Sequence, residues 1–201
     1  MRCQFCHNPD TWQMQGGREM TADELLDNAE RYKSYWGSEG GITVSGGEAL
    51  MQMDFLTELF RKAHQRGINT CLDTSAQPFR KEGEWFDKFA DLMNYTDTEE
   101  HLALTKHTNR NILDCAKYLS SIAKPMWIRH VLIPGITDKD EYLHELAAFI
   151  KTLDNVARVD VLPYHSMGVF KYEKLGIDYP LKDLEAPTAE RIENAKRILS
   201  I

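Results

Sequence analysis

Gly41-Ile-Thr-Val-Ser45, the segment Gln52–Arg66, Gly67, and Ile68-Asn-Thr-Cys-Leu-Asp-Thr74 form the stretch whose reading decides the fold. The first run is short, apolar and β-branched, which reads as a buried strand. Gln52–Arg66 carries its apolar residues at helical spacing, and Gly67 stands where a helix stops. Ile68–Thr74 is a second short strand. Strand, crossover helix and strand make a βαβ unit, which joins two parallel strands.

Outward from this unit the same alternation continues. Upstream, Thr21–Tyr35 reads as a helix, with Thr21 as its cap and Glu24 at the capping-box position. Downstream, Glu84–Met93 and Thr108–Ser121 read as helices. Met126–Ile133 reads as a strand closed by Pro134-Gly135, Lys139–Leu153 as a helix, Ala157–Leu162 as a strand and Ala189–Leu199 as a final helix. The expectation is an α/β domain over residues 1–201 with right-handed crossovers. One interval breaks the rhythm. Between Thr74 and Met126 no convincing strand is found, and the two helices there follow each other through Asn94–Glu100.

Composition bounds the function. The chain has 201 residues, 42% hydrophobic and 27% charged, enough for one domain with a real core. No apolar run is long enough to span a bilayer, and the start shows no apolar signal segment. The net charge of −7 argues against nucleic acid as a partner. Neither an internal repeat nor a low-complexity tract is present. Four cysteines without a secretory signal point to a reducing compartment, and hence to the cytoplasm.

Cys3-Gln-Phe-Cys6 is a CxxC pair. Alone it is compatible with a structural, metal-binding or redox role. A zinc ribbon needs a second such pair, and Cys71 and Cys115 stand far apart. A thioredoxin-like pair would follow a first strand, and no strand fits before Cys3. The residues that follow narrow the field: Cys3-Gln-Phe-Cys-His-Asn-Pro-Asp-Thr-Trp12 closely resembles the cluster motif of pyruvate formate-lyase activating enzymes. These are glycyl-radical-enzyme activases of the radical S-adenosylmethionine (SAM) class. In that family three cysteines at CxxxCxxC spacing hold three irons of a [4Fe–4S] cluster, and SAM chelates the fourth. Cys3 and Cys6 match the second and third of these cysteines. The first would fall two positions before Met1. The expectation is therefore that Met1 is an internal methionine of a longer protein whose first cysteine and first strand lie upstream.

Other segments extend the resemblance over nearly the whole chain. Gly46-Gly47-Glu48 at the end of the first strand is similar to the family's GGE turn, which contacts the SAM amino group. Read without the family, it is a plain strand-to-helix turn. Asp73-Thr74-Ser75-Ala76 resembles a strand end that lines the site and helps hold a monovalent cation, with Ala76 where the family has glycine. Arg129, in Trp127–Gly135, resembles an arginine facing SAM. A charge inside an apolar strand needs a carboxylate partner, and His130 should then point the other way. Val159–His165 resembles the last strand with its Leu-Pro-Tyr-His ending, and His165 is implied to touch SAM. Gly168 and Val169–Tyr172 are expected to follow as a lid-like loop. A family strand of apolar-Asp-apolar-Lys pattern has no counterpart, so a deletion of about ten residues, one strand and a turn, is expected near Thr96–Glu99.

The resemblance implies a partial (β/α)6 barrel lacking its first strand and one internal strand, with the site at the strand C-termini. It implies Cys3 and Cys6 as iron ligands, and Phe5, Cys6, His7, Gly46, Gly47, Glu48, Asp73, Arg129 and His165 around SAM. It also implies the chemistry: one electron from the [4Fe–4S] cluster cleaves SAM, and the resulting 5′-deoxyadenosyl radical takes a hydrogen from a glycine of pyruvate formate-lyase. The partners would be that lyase and a flavodoxin or ferredoxin donor, acting on a monomer. Two alternatives are an activase for another glycyl-radical enzyme and a non-catalytic remnant.

Overall fold

A computed structural model describes residues 3–13, 16–38, 40–103 and 110–200, and for 98–103 the backbone alone. The expected position of Met1 within the cysteine motif and the expected helix start at Thr108 lie outside these residues.

Helix α1 spans Ala22–Glu30 and opens on the expected capping box: Thr21 Oγ1 accepts from the Glu24 amide, and the Glu24 carboxylate accepts from the Thr21 amide. Strand β1 is Gly41–Val44. Helix α2, Met53–Gln65, buries Met53, Leu56, Leu59, Phe60 and Ala63, three and four residues apart on one face. It ends in a Schellman motif, with the Gly67 amide donating to the His64 carbonyl and the Ile68 amide to that of Ala63. Strand β2 is Asn69–Thr74. Leu72 of β2 is wholly buried against α2, so the βαβ unit read from the sequence forms as expected.

Helix α3, Gly83–Met93, strand β3, Thr98–Ala103, and helix α4, Arg110–Ser121, follow. Strand β3 corrects the expectation of a missing internal strand. It pairs in parallel with β2 through Cys71↔Thr98 and Asp73↔Glu100, and with β4 (Met126–Leu132) through Glu99↔Met126 and Leu102↔Arg129. Its sequence, Thr-Glu-Glu-His-Leu-Ala, is poor in strand-forming residues. The ladders of β2 and β4 impose the conformation, because both present rows of backbone donors and acceptors that need partners. Helix α5 is Asp140–Ile150, β5 is Val156–Pro163, α6 is Val169–Leu175 and α7 is Ala189–Leu199. Helix α6 replaces the expected lid-like loop.

The five strands form one wholly parallel sheet in the order β1-β2-β3-β4-β5. This is the partial barrel anticipated, with β1 and β5 as its two edges. Along the outer face α2, α3 and α4 pack on Leu72, Met126 and Ile128, and Phe79 is ringed by Trp85, Phe86, Phe89 and Tyr118. The opposite face mixes charged groups with apolar ones such as Val131 and Leu162. Successive side chains of a strand alternate faces, and β2, β4 and β5 place Asp73, Arg129 and Asp160 away from the helices. A closed barrel would fill that space with packed aliphatic layers. This one keeps charged groups there.

Candidate functional site

The C-terminal ends of the strands and the segment 3–12 enclose a cavity of about 460 Å³. Each of the ten residues implied by the sequence lines it: Cys3, Phe5, Cys6, His7, Gly46, Gly47, Glu48, Asp73, Arg129 and His165. They come from five chain segments; four of these lie in or just after strands, and they converge because every strand of a parallel sheet ends on the same rim.

The rim at β1 and β2 is built around Glu48. Its Oε1 accepts from the Leu50 amide at 3.1 Å and the Thr74 hydroxyl at 2.5 Å. Its Oε2 accepts from the Ser75 amide at 3.0 Å and the Ser75 hydroxyl at 2.5 Å. The carboxylate therefore ties the turn after β1 to the end of β2, while the backbone of Gly46 and Gly47 faces the cavity mouth. Thr74 and Ser75 were named only as part of the strand end that lines the site, and their hold on Glu48 was missed. Hydroxyl residues at strand ends are common in ordinary turns, and nothing local marks these two as partners of Glu48. The next residue, Ala76, has φ of 55° and is fully buried. The backbone adopts the left-handed conformation that favours glycine, and alanine holds it at a cost of about 1–2 kcal/mol.

Across the cavity, Arg129 Nη1 lies 3.2 Å from Asp73 Oδ2, which supplies the carboxylate that the half-buried arginine was expected to need. His130 turns the opposite way, as expected. It is buried and donates from Nε2 to the Thr137 carbonyl at 3.2 Å. Burial pushes its pKa down despite that bond.

The segment carrying Cys3 and Cys6 lies over the gap between the sheet edges. On the β1 side, a Cβ on Gly47 would sit 3.2 Å from Thr11 Oγ1, so glycine allows the close approach. On the β5 side, His7 donates from Nε2 to the His165 carbonyl at 3.0 Å, and the two rings lie 4.1 Å apart. Partial burial, and then the charge of His7, push the His165 pKa down. Tyr172 donates to the Cys6 carbonyl at 3.0 Å, and Lys171 donates to Asn8 Oδ1 at 2.7 Å and Asp10 Oδ1 at 3.1 Å. Phe5 and Trp12 pack on the cluster of Tyr164, Tyr172 and Tyr179. In that cluster Tyr179 donates to Tyr164, which donates to the Leu181 carbonyl. Burial pushes the Cys3 thiol pKa up, and the neighbouring Cys6 adds to the shift.

Two thiols on one short segment beside a cavity suit an iron–sulfur cluster, for which soft sulfur ligands are preferred. The set is incomplete among the described residues, because no group of three potential metal-ligating side chains occurs. Cys115 is buried on α4, and Cys71, on the strand face of Asp73, is absent from the cavity wall. A cluster held by three protein sulfurs therefore finds two of them.

Residues 1–147 match the model of the radical SAM superfamily. A pyruvate formate-lyase-activating enzyme of Streptococcus mutans is 51% identical over 99% of this chain and 80% of its own length. Enzymes of the same name from Listeria monocytogenes and Staphylococcus aureus are 47% and 44% identical, over 99% and 100% of this chain and 85% and 84% of theirs. Among solved structures, a domain of a pyruvate-formate lyase-activating enzyme from Bacteroides vulgatus superposes with a TM-score of 0.64 at 21% identity, over 80% of this chain and 92% of that one. A radical SAM methyltransferase from Sphaerobacter thermophilus gives 0.64 at 18% identity, over 98% and 59%. These structural likenesses concern the fold.

Proposed function

The chain belongs to the radical SAM superfamily, and from that premise we propose that it activates pyruvate formate-lyase, installing a glycyl radical on that enzyme through reductive cleavage of SAM. The observation that supports this most is the convergence of all ten implied residues on one cavity at the strand C-termini, in a chain half-identical to activating enzymes of this name. A bound cluster would supply the single electron that SAM cleavage requires, and Cys3 and Cys6 would be two of its ligands. The chain's own residues do the rest. The backbone of Gly46 and Gly47, fixed by the Glu48 clamp, receives the amino-acid end of SAM. Arg129, oriented by Asp73, faces the ligand from across the cavity. His165 closes the β5 side, and Phe5 with Leu162 and Val131 supplies the apolar wall. A flavodoxin or ferredoxin delivers the electron, and the activase acts as a monomer.

The two-thiol ligand set favours a second reading, in which the chain binds SAM without cleaving it. Anaerobic reconstitution with iron and sulfide, followed by reduction and SAM addition, separates the two. Release of methionine and 5′-deoxyadenosine supports the activase. Saturable SAM binding without either product supports the second reading and rejects the first.

A further inference from the structure

We propose that Gly168 and Tyr172 are positioning residues for the cysteine segment, forming a clasp at the start of α6 that sets the placement of Cys6. The contacts are independent of one another. Tyr172 is almost fully buried and directs its hydroxyl at the carbonyl of Cys6 itself, 3.0 Å away. Its ring meets Trp12 edge-on at 5.6 Å, so the start and the end of the segment rest on one side chain. Gly168 has an ordinary helical backbone, φ −84°, and its identity follows from space alone. A Cβ there would lie 2.9 Å from His7 Cα and 3.3 Å from the His7 carbonyl oxygen. Since His7 directly follows Cys6, any side chain at 168 pushes on the peptide next to the thiol. The span from His165 to Tyr172 thus carries both a cavity wall residue and the holder of Cys6, which couples the two.

The proposal rests on the reading of Cys6 as a ligand for its consequence, but its test needs no cluster. In the 201-residue chain as purified under reducing conditions, iodoacetamide labelling is followed for each cysteine by peptide mass spectrometry. Tyr172→Phe keeps the ring and removes only the donor. It is expected to raise the Cys6 rate about fivefold, the weight of one lost hydrogen bond on a local opening equilibrium. Cys115 should stay protected, and the melting temperature should fall by no more than about 4 °C. Gly168→Ala should accelerate Cys6 in the same selective way without touching the tyrosine. An unchanged Cys6 rate in both variants overturns the proposal. So does an increase at Cys115 in step with Cys6, which would mean global loosening. A selective effect at Cys6 in a chain that never cleaves SAM would leave the clasp standing and remove only the activase reading.

Discussion

Replacing Glu48 should loosen the rim of the cavity more than any other single polar change. Four donors converge on its carboxylate, two of them backbone amides. Each such bond contributes on the order of 1 kcal/mol net, more when the acceptor is charged. Glu48 is half-buried, so water replaces part of what is lost, and the contributions do not add fully. Glu48→Ala should therefore cost about 3 kcal/mol. Glu48→Gln keeps an acceptor for Leu50 and Thr74 but turns an amide donor toward the two Ser75 donors, and should cost about 1.5–3 kcal/mol. At about 2–4 °C per kcal/mol for a chain of this length, the alanine variant should melt about 6–12 °C lower. Calorimetry or circular dichroism measures this directly. A glutamine variant as stable as the parent would refute the clamp, because it would show that the Oε2 contacts to Ser75 contribute nothing.

Arg129→Met should weaken SAM binding to the reconstituted protein at least about tenfold by titration calorimetry, while stability changes by less than about 1 kcal/mol, since the pair with Asp73 is partly open to solvent. Tyr164→Phe leaves the buried Tyr179 hydroxyl without its acceptor and should cost about 1–3 kcal/mol in chemical denaturation, more than Tyr179→Phe, which removes only a donor. Burial lowers the pKa of His130, so the fold disfavours its protonation. Stability should be fully present above its unfolded pKa of about 6.5 and fall as pH drops below it. His130→Gln should flatten that part of the melting profile, and an unchanged slope would assign the loss elsewhere. Ala76→Gly should be neutral within about 1 kcal/mol, as relief at φ 55° offsets a lost buried methyl; the same change at Ala63, within α2, should be plainly destabilising.

Much of the fold was legible because its elements announce themselves locally. The βαβ unit of β1, α2 and β2 has β-branched runs, helical spacing and a glycine stop, and it forms within a few residues of the expected bounds. Strand β3 was not legible. Two glutamates and a histidine in six residues carry no strand signal, and the conformation comes from neighbours distant in sequence. Helix α6 was missed because seven residues are too few to show a period, although Gly176 supplies a left-handed stop directly after it. In the site, motif resemblance brought together the residues that line the cavity but gave no sign of those holding them. Thr74, Ser75, Lys171 and Tyr172 act on the motif through contacts that depend on the folded geometry.

A radical placed on a glycine of pyruvate formate-lyase leaves its signature on the lyase itself. The most direct measurement is electron paramagnetic resonance of the lyase after anaerobic incubation with the reconstituted, reduced chain and SAM. A glycyl-radical signal should appear that requires SAM and disappears when Cys6 is replaced by alanine. A chain shown by iron and sulfide analysis to carry its cluster, yet leaving the lyase without that signal, would contradict the proposed activation.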